Sequence, residues 1–345
     1  MELSKSFYHL GHSSPAILAS FHLAIISFAL FLPACTAGPD TPPRFPAPDG
    51  GELDGEVSNI AFVFPGESRE SRAWSWSLVQ RMDVFIFDDS PSEYLDCYRH
   101  FDEGRDAVTI RTSSGAKSAF VVANYAFPDS IVRMINTFKD MSKVCASLTE
   151  EDPSTPVMTG KGAFEAGEGS VCRINLAPLM SRVEIRSLRV VISEETVLKD
   201  VKVYLTGVSS RCPITGETPF LPSEIINHDG LNEKDMARMS RPSLVYRFLG
   251  NGRSHDNWVE FGSATLYCYP NETDEESAGS PFTRLVIEGK VSDGRTQYYV
   301  IPVNRKGYGY GSGREGIGSA SCYSMKIDLT KEGKSEVTGD LPPFP

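Results

Sequence analysis

The sequence predicts a mostly β protein, built from two β-sandwich domains in tandem with one helix in the first domain. Most of its 345 residues fall into short runs that alternate apolar and polar side chains, and clusters of turn-forming residues separate these runs. In the last such run, residues 322–329, Tyr323, Met325 and Ile327 share one face. Helical periodicity is almost absent. Many short strands with little helix are typical of sandwiches.

The pattern divides the chain into five parts. The dipeptide Ala177-Pro178 separates two series of strands and is the predicted domain boundary. The predicted parts are a signal peptide over residues 1–34, a lipidated flexible tether over 35–56, an N-terminal sandwich over 57–178, a C-terminal sandwich over 179–335 and a Pro-rich tail over 336–345.

Two runs in the N-terminal domain are so apolar that we expect them to be buried on both faces. They cover residues 82–87 and 118–125. After the second run, Asp129 is positioned to cap a helix that extends to about Leu148. The predicted apolar face of this helix consists of Ile131, Met134, Phe138 and Met141.

The first 35 residues contain an export signal. Residues 16–34 form an apolar run that ends in small residues directly before Cys35. The segment Leu32-Pro33-Ala34-Cys35 resembles a bacterial lipobox, in which the cysteine thiol receives a diacylglyceryl group, although Pro33 departs from the pattern. Acyl chains on Cys35 would anchor the precursor to a membrane. Plain secretion and a transmembrane anchor are the alternatives.

Charge and composition argue against several function classes. A formal net charge of -11 opposes binding to nucleic acid, whose phosphates would be repelled. His100, His228 and His255 have no spaced partner, and the six cysteines after the lipobox contain no CxxC pair. We therefore expect free thiols, no metal site, no cofactor and no enzymatic activity. The Asp88-Asp89 pair indicates a solvated turn, with a calcium site as the alternative.

The stretch that follows the tether combines a strand with a basic loop. Ile60, Phe62 and Phe64 alternate on one face of the first strand, and a Pro-Gly pair ends it. The loop that follows is polar and contains Arg69 and Arg72. This arrangement is that of a strand that a protease could cut away from its domain. An ordinary first strand and its turn is the alternative.

Several segments, taken in order, resemble the fimbrillins, which are the subunits of type V pili in Gram-negative bacteria. The matching segments are the lipobox cysteine, the strand and GESR loop at 57–73, VMTGKGAF at 157–164, and then LYCYPN, TRLVIEGKV, YYVIPVN, GYGY and CYSMKIDLTKEG. The resemblance covers about the whole exported chain.

This resemblance implies two transthyretin-like sandwiches and an outer-membrane lipoprotein precursor with fatty acid such as palmitate on Cys35. It implies that an arginine-specific protease cuts the loop at Arg69 or Arg72, and Arg72-Ala73 is the better match to the family's site. The excised strand would carry Ile60 with its two phenylalanines. A neighbouring pilin subunit would then insert its C-terminal strand into the groove, which places the mature protein in an extracellular fimbrium.

One departure from the family concerns the C-terminus. The tail over 336–345 ends in three prolines among five residues, which predicts a poor donor strand. An acceptor without a donor would be an accessory or tip subunit. The alternative is a stand-alone surface lipoprotein that binds a glycan or host receptor. Its candidate contacts are the long segment 212–257 and the hairpin with Tyr308 and Tyr310.

Overall fold

The chain from Glu56 onward consists mainly of β-strands, as its alternating pattern predicts. The computed structural model describes residues 56–63, 79–191, 198–216, 224–273, 282–306, 308, 315–331 and 334–340. The strands of the first half are β1 Glu56–Val63, β2 Met82–Asp88, β3 Leu95–Phe101, β4 Ala107–Thr112, β5 Gly115–Ala123, β6 Cys145–Ser147, β7 Met158–Ala166, β8 Ser170–Asn175 and β9 Ala177–Pro178. The mostly β prediction is confirmed.

The first half is a sandwich of two sheets. One sheet has three strands in the order β4-β1-β8, and the other has five in the order β3-β2-β5-β7-β9. Apolar side chains from both sheets form one buried cluster between them. The opposite face of the five-stranded sheet is also buried, because Phe85 and Phe120 pack into a second cluster. The two runs predicted to be buried on both faces are therefore confirmed as β2 and β5.

The single helix predicted from Asp129 to about Leu148 is wrong. Two one-turn helices stand in its place, α1 Asp129–Val132 and α2 Phe138–Met141, and β6 follows them. Thr137 is the N-cap of α2. Its side chain accepts a hydrogen bond from the backbone N–H of Asp140, and the two residues form a capping box. Met134 is largely exposed, so the predicted apolar face does not form one continuous stripe.

The second half contains thirteen further strands and one longer helix in the described residues. The strands are β10 Ser181–Val191, β11 Lys199–Thr206, β12 Val208–Ser209, β13 Arg211–Pro213, β14 Ile225–Ile226, β15 Tyr246–Gly250, β16 Arg253–Ser254, β17 Trp258–Phe261, β18 Ala264–Cys268, β19 Arg284–Lys290, β20 Thr296–Pro302, β21 Cys322–Lys331 and β22 Lys334–Asp340. Helix α3 covers Glu233–Arg238, and a 3-10 turn covers Pro242–Leu244.

Two larger sheets organise this half. Strand β10 lies at the centre of the first, which has the order β16-β17-β10-β21-β22 and in which β18 also pairs with β10. The second sheet has the order β15-β11-β19-β20. The inward residues of both sheets, such as Ile185 and Ile287, belong to one buried cluster. The cluster also contains Phe85 and Phe120, so the apolar core continues from one half into the other.

The predicted boundary at 178 separates the strands of one set of sheets from those of the other. In the described residues, the one ladder that joins the two sets pairs β6 with β13. These residues all lie within a compact unit over 43–345. The exact domain limits stay a prediction.

Part of the C-terminal segment is a strand, where the sequence predicts a Pro-rich tail over 336–345. Residues Lys334–Asp340 form β22, which pairs antiparallel with β21 and places Val337 opposite Ile327. The segment contains no proline before Pro342, so it keeps its backbone N–H donors. The assignment of residues 336–340 to the Pro-rich tail is therefore wrong, whereas the expectation that the segment is a poor donor strand for a neighbouring subunit stays a prediction.

Candidate functional site

Strand β1 is the middle strand of its three-stranded sheet, between β4 and β8. It pairs antiparallel with β4, from Glu56 opposite Thr112 to Ala61 opposite Ala107. It pairs parallel with β8, from Ser58 opposite Ser170 to Val63 opposite Asn175. Because β1 separates β4 from β8, its loss would leave a slot between two strands and unpair two ladders at once.

The inward face of β1 closes the core of the first sandwich. Ser58 and Ile60 are fully buried, whereas Asn59 and Ala61 are partly exposed, as strand alternation requires. Ile60 packs in the cluster between the two sheets. Burial of one such side chain stabilises the fold by roughly 1.5–3 kcal/mol. Removal of β1 would therefore expose an apolar hole as well as unpaired backbone groups.

Two side-chain hydrogen bonds connect the described side chains of β1 to its surroundings. The Ser58 Oγ accepts a hydrogen bond from the Gly167 N–H at 3.4 Å, and the Asn59 Oδ1 accepts one from the Thr109 hydroxyl at 2.9 Å. The remaining ties described for this strand are its ladders and Ile60. Any extended segment can provide such ladders, provided that its inward residues fit the core.

Two glycines bring β8 close to the five-stranded sheet, and the sequence-based reasoning missed their role. A Cβ built on Gly160 would collide with the carbonyl oxygen of Asn175 and lie 2.6 Å from Cγ2 of Ile174. A Cβ on Gly162 would lie 2.9 Å from the Cys172 sulfur. The signal was the alternation of glycines in VMTGKGAF, since glycine within a strand often marks close backbone approach. These glycines position one wall of the slot.

The cysteine thiols in the core of the first sandwich are unreactive. Burial raises the pKa of both Cys97 and Cys172 to about 11, so both remain protonated at neutral pH. The other four described cysteines are free as well, as the sequence predicts. Within the described ranges, no group of three or more His, Cys, Asp or Glu side chains is placed to hold a metal ion.

Several predicted site residues lie outside the described residues. These are Cys35, Phe64, Arg69, Arg72, Ala73 and Tyr310. Phe62 belongs to β1 and occupies the register position opposite Ile174 of β8. Tyr308 is 38% exposed and makes an isolated bridge with Arg305, so its role in ligand contact stays a prediction.

Asp88 of the acidic pair has a structural role. It makes an ion pair with the buried amine of Lys117, which also lies 3.4 Å from a carboxylate oxygen of Asp96. The two carboxylates compensate the charge of a lysine that is almost completely withdrawn from solvent.

Among the described residues, no helix has the length and apolar character needed to cross a bilayer.

The fold of this chain is that of known fimbrial proteins. No protein-family profile and no curated protein sequence matches the chain. Among solved structures, it is similar to a fimbrilin from Porphyromonas gingivalis with a TM-score of 0.57 and 16% identity, covering 83% of this chain and 97% of that one. The chain is also similar to a proposed cell adhesion protein from Bacteroides eggerthii, with a TM-score of 0.57 and 16% identity, covering 84% of this chain and 97% of that one.

The tip fimbrial protein Mfa3 from Porphyromonas gingivalis, solved with a C-terminal truncation, is also similar. It gives a TM-score of 0.51 and 11% identity, covering 84% of this chain and 98% of that one. Identities this low establish a shared fold alone. The predicted resemblance to the fimbrillins is confirmed at that level.

Proposed function

We propose that this protein is a subunit of a type V fimbrium, and that its assembly requires removal of β1. The single observation that carries the proposal is the central position of β1 between β4 and β8. The precursor would be exported as a lipoprotein with acyl chains on Cys35, anchored in the outer membrane. An arginine-specific protease would then cut at Arg69 or Arg72, and the subunit would join an extracellular fimbrium with other pilin subunits.

The slot sets requirements for the strand that replaces β1. The replacement must place an apolar side chain at the position of Ile60, where the buried cluster would otherwise contain a hole. It must place a small side chain at the position of Ser58, which is also fully buried. Two ladders and an apolar anchor together make a strong site for β-strand addition.

The state of the buried thiols and the position of β1 both support a structural and adhesive role rather than an enzymatic one. Burial raises the pKa of Cys212 and Cys268 to about 12, as it does less strongly for the thiols of the first sandwich. Such thiols are poor nucleophiles. The central strand, in contrast, has the position that assembly by strand replacement requires.

Replacement of both Arg69 and Arg72 by alanine is expected to abolish incorporation into fibres and to leave a folded monomer. Both changes lie in the segment that the sequence predicts to be a polar loop, so we expect the free energy of unfolding to change by no more than about 0.5 kcal/mol. Electron microscopy of cell envelopes measures the fibres. Mass spectrometry of the mature N-terminus distinguishes a lipidated start at Cys35 from a start at Ala73.

The matched control is the double replacement of Arg133 and Arg238, which removes the same charge from exposed positions elsewhere. This control should assemble normally and start at Ala73. Normal fibres built from the loop variant would contradict the proposal. A lipidated Cys35 start on all wild-type molecules would instead favour an uncut surface lipoprotein.

We further propose that the subunit is accessory or occupies the tip, with β22 kept in its own sheet. To test this, Lys326 and Thr338, which are opposite each other in the β21-β22 ladder, are replaced by cysteines and oxidised to lock β22 in place. An accessory or tip subunit needs to accept a strand but not to donate one, so locked protein should enter fibres as well as wild type. Immunogold labelling of fibre ends measures this.

The single replacement of Lys326 by cysteine is the control for the lock. Loss of assembly in the oxidised pair, restored by a reductant and absent in the single variant, would show that β22 leaves its sheet. The protein would then be a stalk subunit that donates β22 to a neighbour.

A further inference from the structure

The outer face of the four-stranded sheet in the second half presents a row of four side chains, none of which belongs to the sheet that contains β1. Phe248 of β15 is opposite Lys202 of β11, Lys202 is opposite Glu288 of β19, and Glu288 is opposite Tyr298 of β20. We infer that this row is a binding platform for a neutral oligosaccharide. This inference goes beyond the proposed function, because it requires no assembly.

The ends of the row are aromatic and unusually exposed. Phe248 is 61% and Tyr298 is 50% exposed, while their strand neighbours Leu249 and Tyr299 pack toward the core. Large rings held on a rigid sheet lose little conformational freedom on binding, and a flat ring presents its face to an apolar surface. Three strand spacings separate the two rings, a distance of roughly 14 Å. This span fits a chain of sugar rings better than a single one.

The centre of the row is polar, fixed and electrically balanced. The Lys202 amine lies 2.8 Å from Glu288 Oε1, and the Tyr204 hydroxyl donates to Glu288 Oε2 at 3.1 Å. Glu288 and Lys202 retain 14% and 27% side-chain exposure, so part of each side chain stays accessible to a ligand. A carboxylate and an amine side by side offer an acceptor and donors for hydroxyl groups.

The combination selects among ligand classes. An anionic ligand would meet Glu288 and a cationic ligand would meet Lys202, whereas a neutral ligand meets a pair with no net charge. A typical protein interface has an apolar core inside a polar rim. Along this row the order is reversed, with polar groups between two apolar ends, and Val300 of β20 adds one further exposed apolar side chain beside Tyr298. Hydroxyl groups in the plane of a ring with apolar faces are the matching chemistry, and sugars have it.

Saturation-transfer NMR and calorimetry on the purified intact protein test this inference. The probes are cellotriose, maltotriose and tri-N-acetylchitotriose at millimolar concentration. At least one is expected to bind, and Phe248→Ala and Tyr298→Ala should each weaken its binding about tenfold, since each removes a stacking surface. Tyr298→Phe keeps the ring and should bind nearly as well as wild type.

Tyr94→Ala is the matched control, because Tyr94 is 56% exposed at a site on the first sandwich. This variant should bind the sugar as wild type does. Failure of all three probes to bind would overturn the inference, as would binding that survives loss of Phe248 and Tyr298. A drop in fibre incorporation in these two variants, without any sugar binding, would also overturn it and identify the face as a subunit contact. Because the binding test uses monomer, it is independent of the assembly experiments.

Discussion

Gly160→Ala is expected to lower the free energy of unfolding by about 3 kcal/mol, because the new methyl group has no room. It would collide with the carbonyl oxygen of Asn175 and lie 2.6 Å from Cγ2 of Ile174. Backbone atoms are among the neighbours that would have to move, so side-chain rotation cannot relieve the contact. The expected shift separates β8 from the five-stranded sheet and disturbs β1, which pairs with β8.

Urea denaturation of the purified variant measures this loss, and a thermal melt gives an independent reading. Gly167→Ala is the control, since a Cβ at Gly167 meets no atom within 4 Å and the residue lies in the turn between the same two strands. It should unfold within about 0.5 kcal/mol of wild type. Equal stability of both variants would show that close approach of β7 and β8 is not required for the fold.

The strand content of the fold was predictable from the sequence because strand periodicity is local. The alternation around Ile60 and the continuous apolar runs of β2 and β5 need only neighbouring residues to be recognised, and the structure buries Ile60 and both runs. The helix prediction was wrong because it counted apolar spacing across Thr137 and overlooked a cap at that residue. The capping signal, a threonine followed three residues later by an acid, was present in the sequence.

What the sequence could not reveal depends on long-range pairing. The central position of β1 arises because β4 and β8, which are distant in sequence, flank it. The row from Phe248 to Tyr298 likewise brings together four strands from separate parts of the chain. Single-strand patterns indicate which face of a strand is buried but not which strand lies beside it. For β22, local composition was misleading, because pairing ends before the prolines begin.

The ionisation of Glu151 is expected to make the free energy of unfolding depend on pH. It is buried at the junction of the two halves, where the Tyr269 hydroxyl donates to its Oε1 at 2.9 Å and the Val157 N–H donates to its Oε2 at 3.2 Å. Burial raises the pKa of Glu151 from 4.5 to about 7, although both hydrogen bonds oppose this change. Cys212 and Asp152 are the other ionisable groups that influence this site.

The sign of the effect follows from proton binding. Between pH 4.5 and about 7, the folded protein holds a proton on Glu151 that the unfolded chain has released. The contribution of Glu151 to stability therefore falls as pH rises through this window and is constant above it. The difference between the two pKa values corresponds to about 3 kcal/mol.

Glu151→Gln should remove this dependence, since an amide does not titrate and nearly keeps the shape of the carboxyl group. It sacrifices one of the two accepted hydrogen bonds, at a cost of about 1 kcal/mol that does not vary with pH. The stability of the variant relative to wild type should therefore rise by about 3 kcal/mol between pH 4.5 and pH 8. Urea denaturation at intervals across this range measures the difference. Glu150→Gln, at the exposed neighbouring position, should leave the wild-type pH profile unchanged. A parallel profile for Glu151→Gln and wild type would show that Glu151 does not change its ionisation in this range, and that the junction of the two halves tolerates a buried charge.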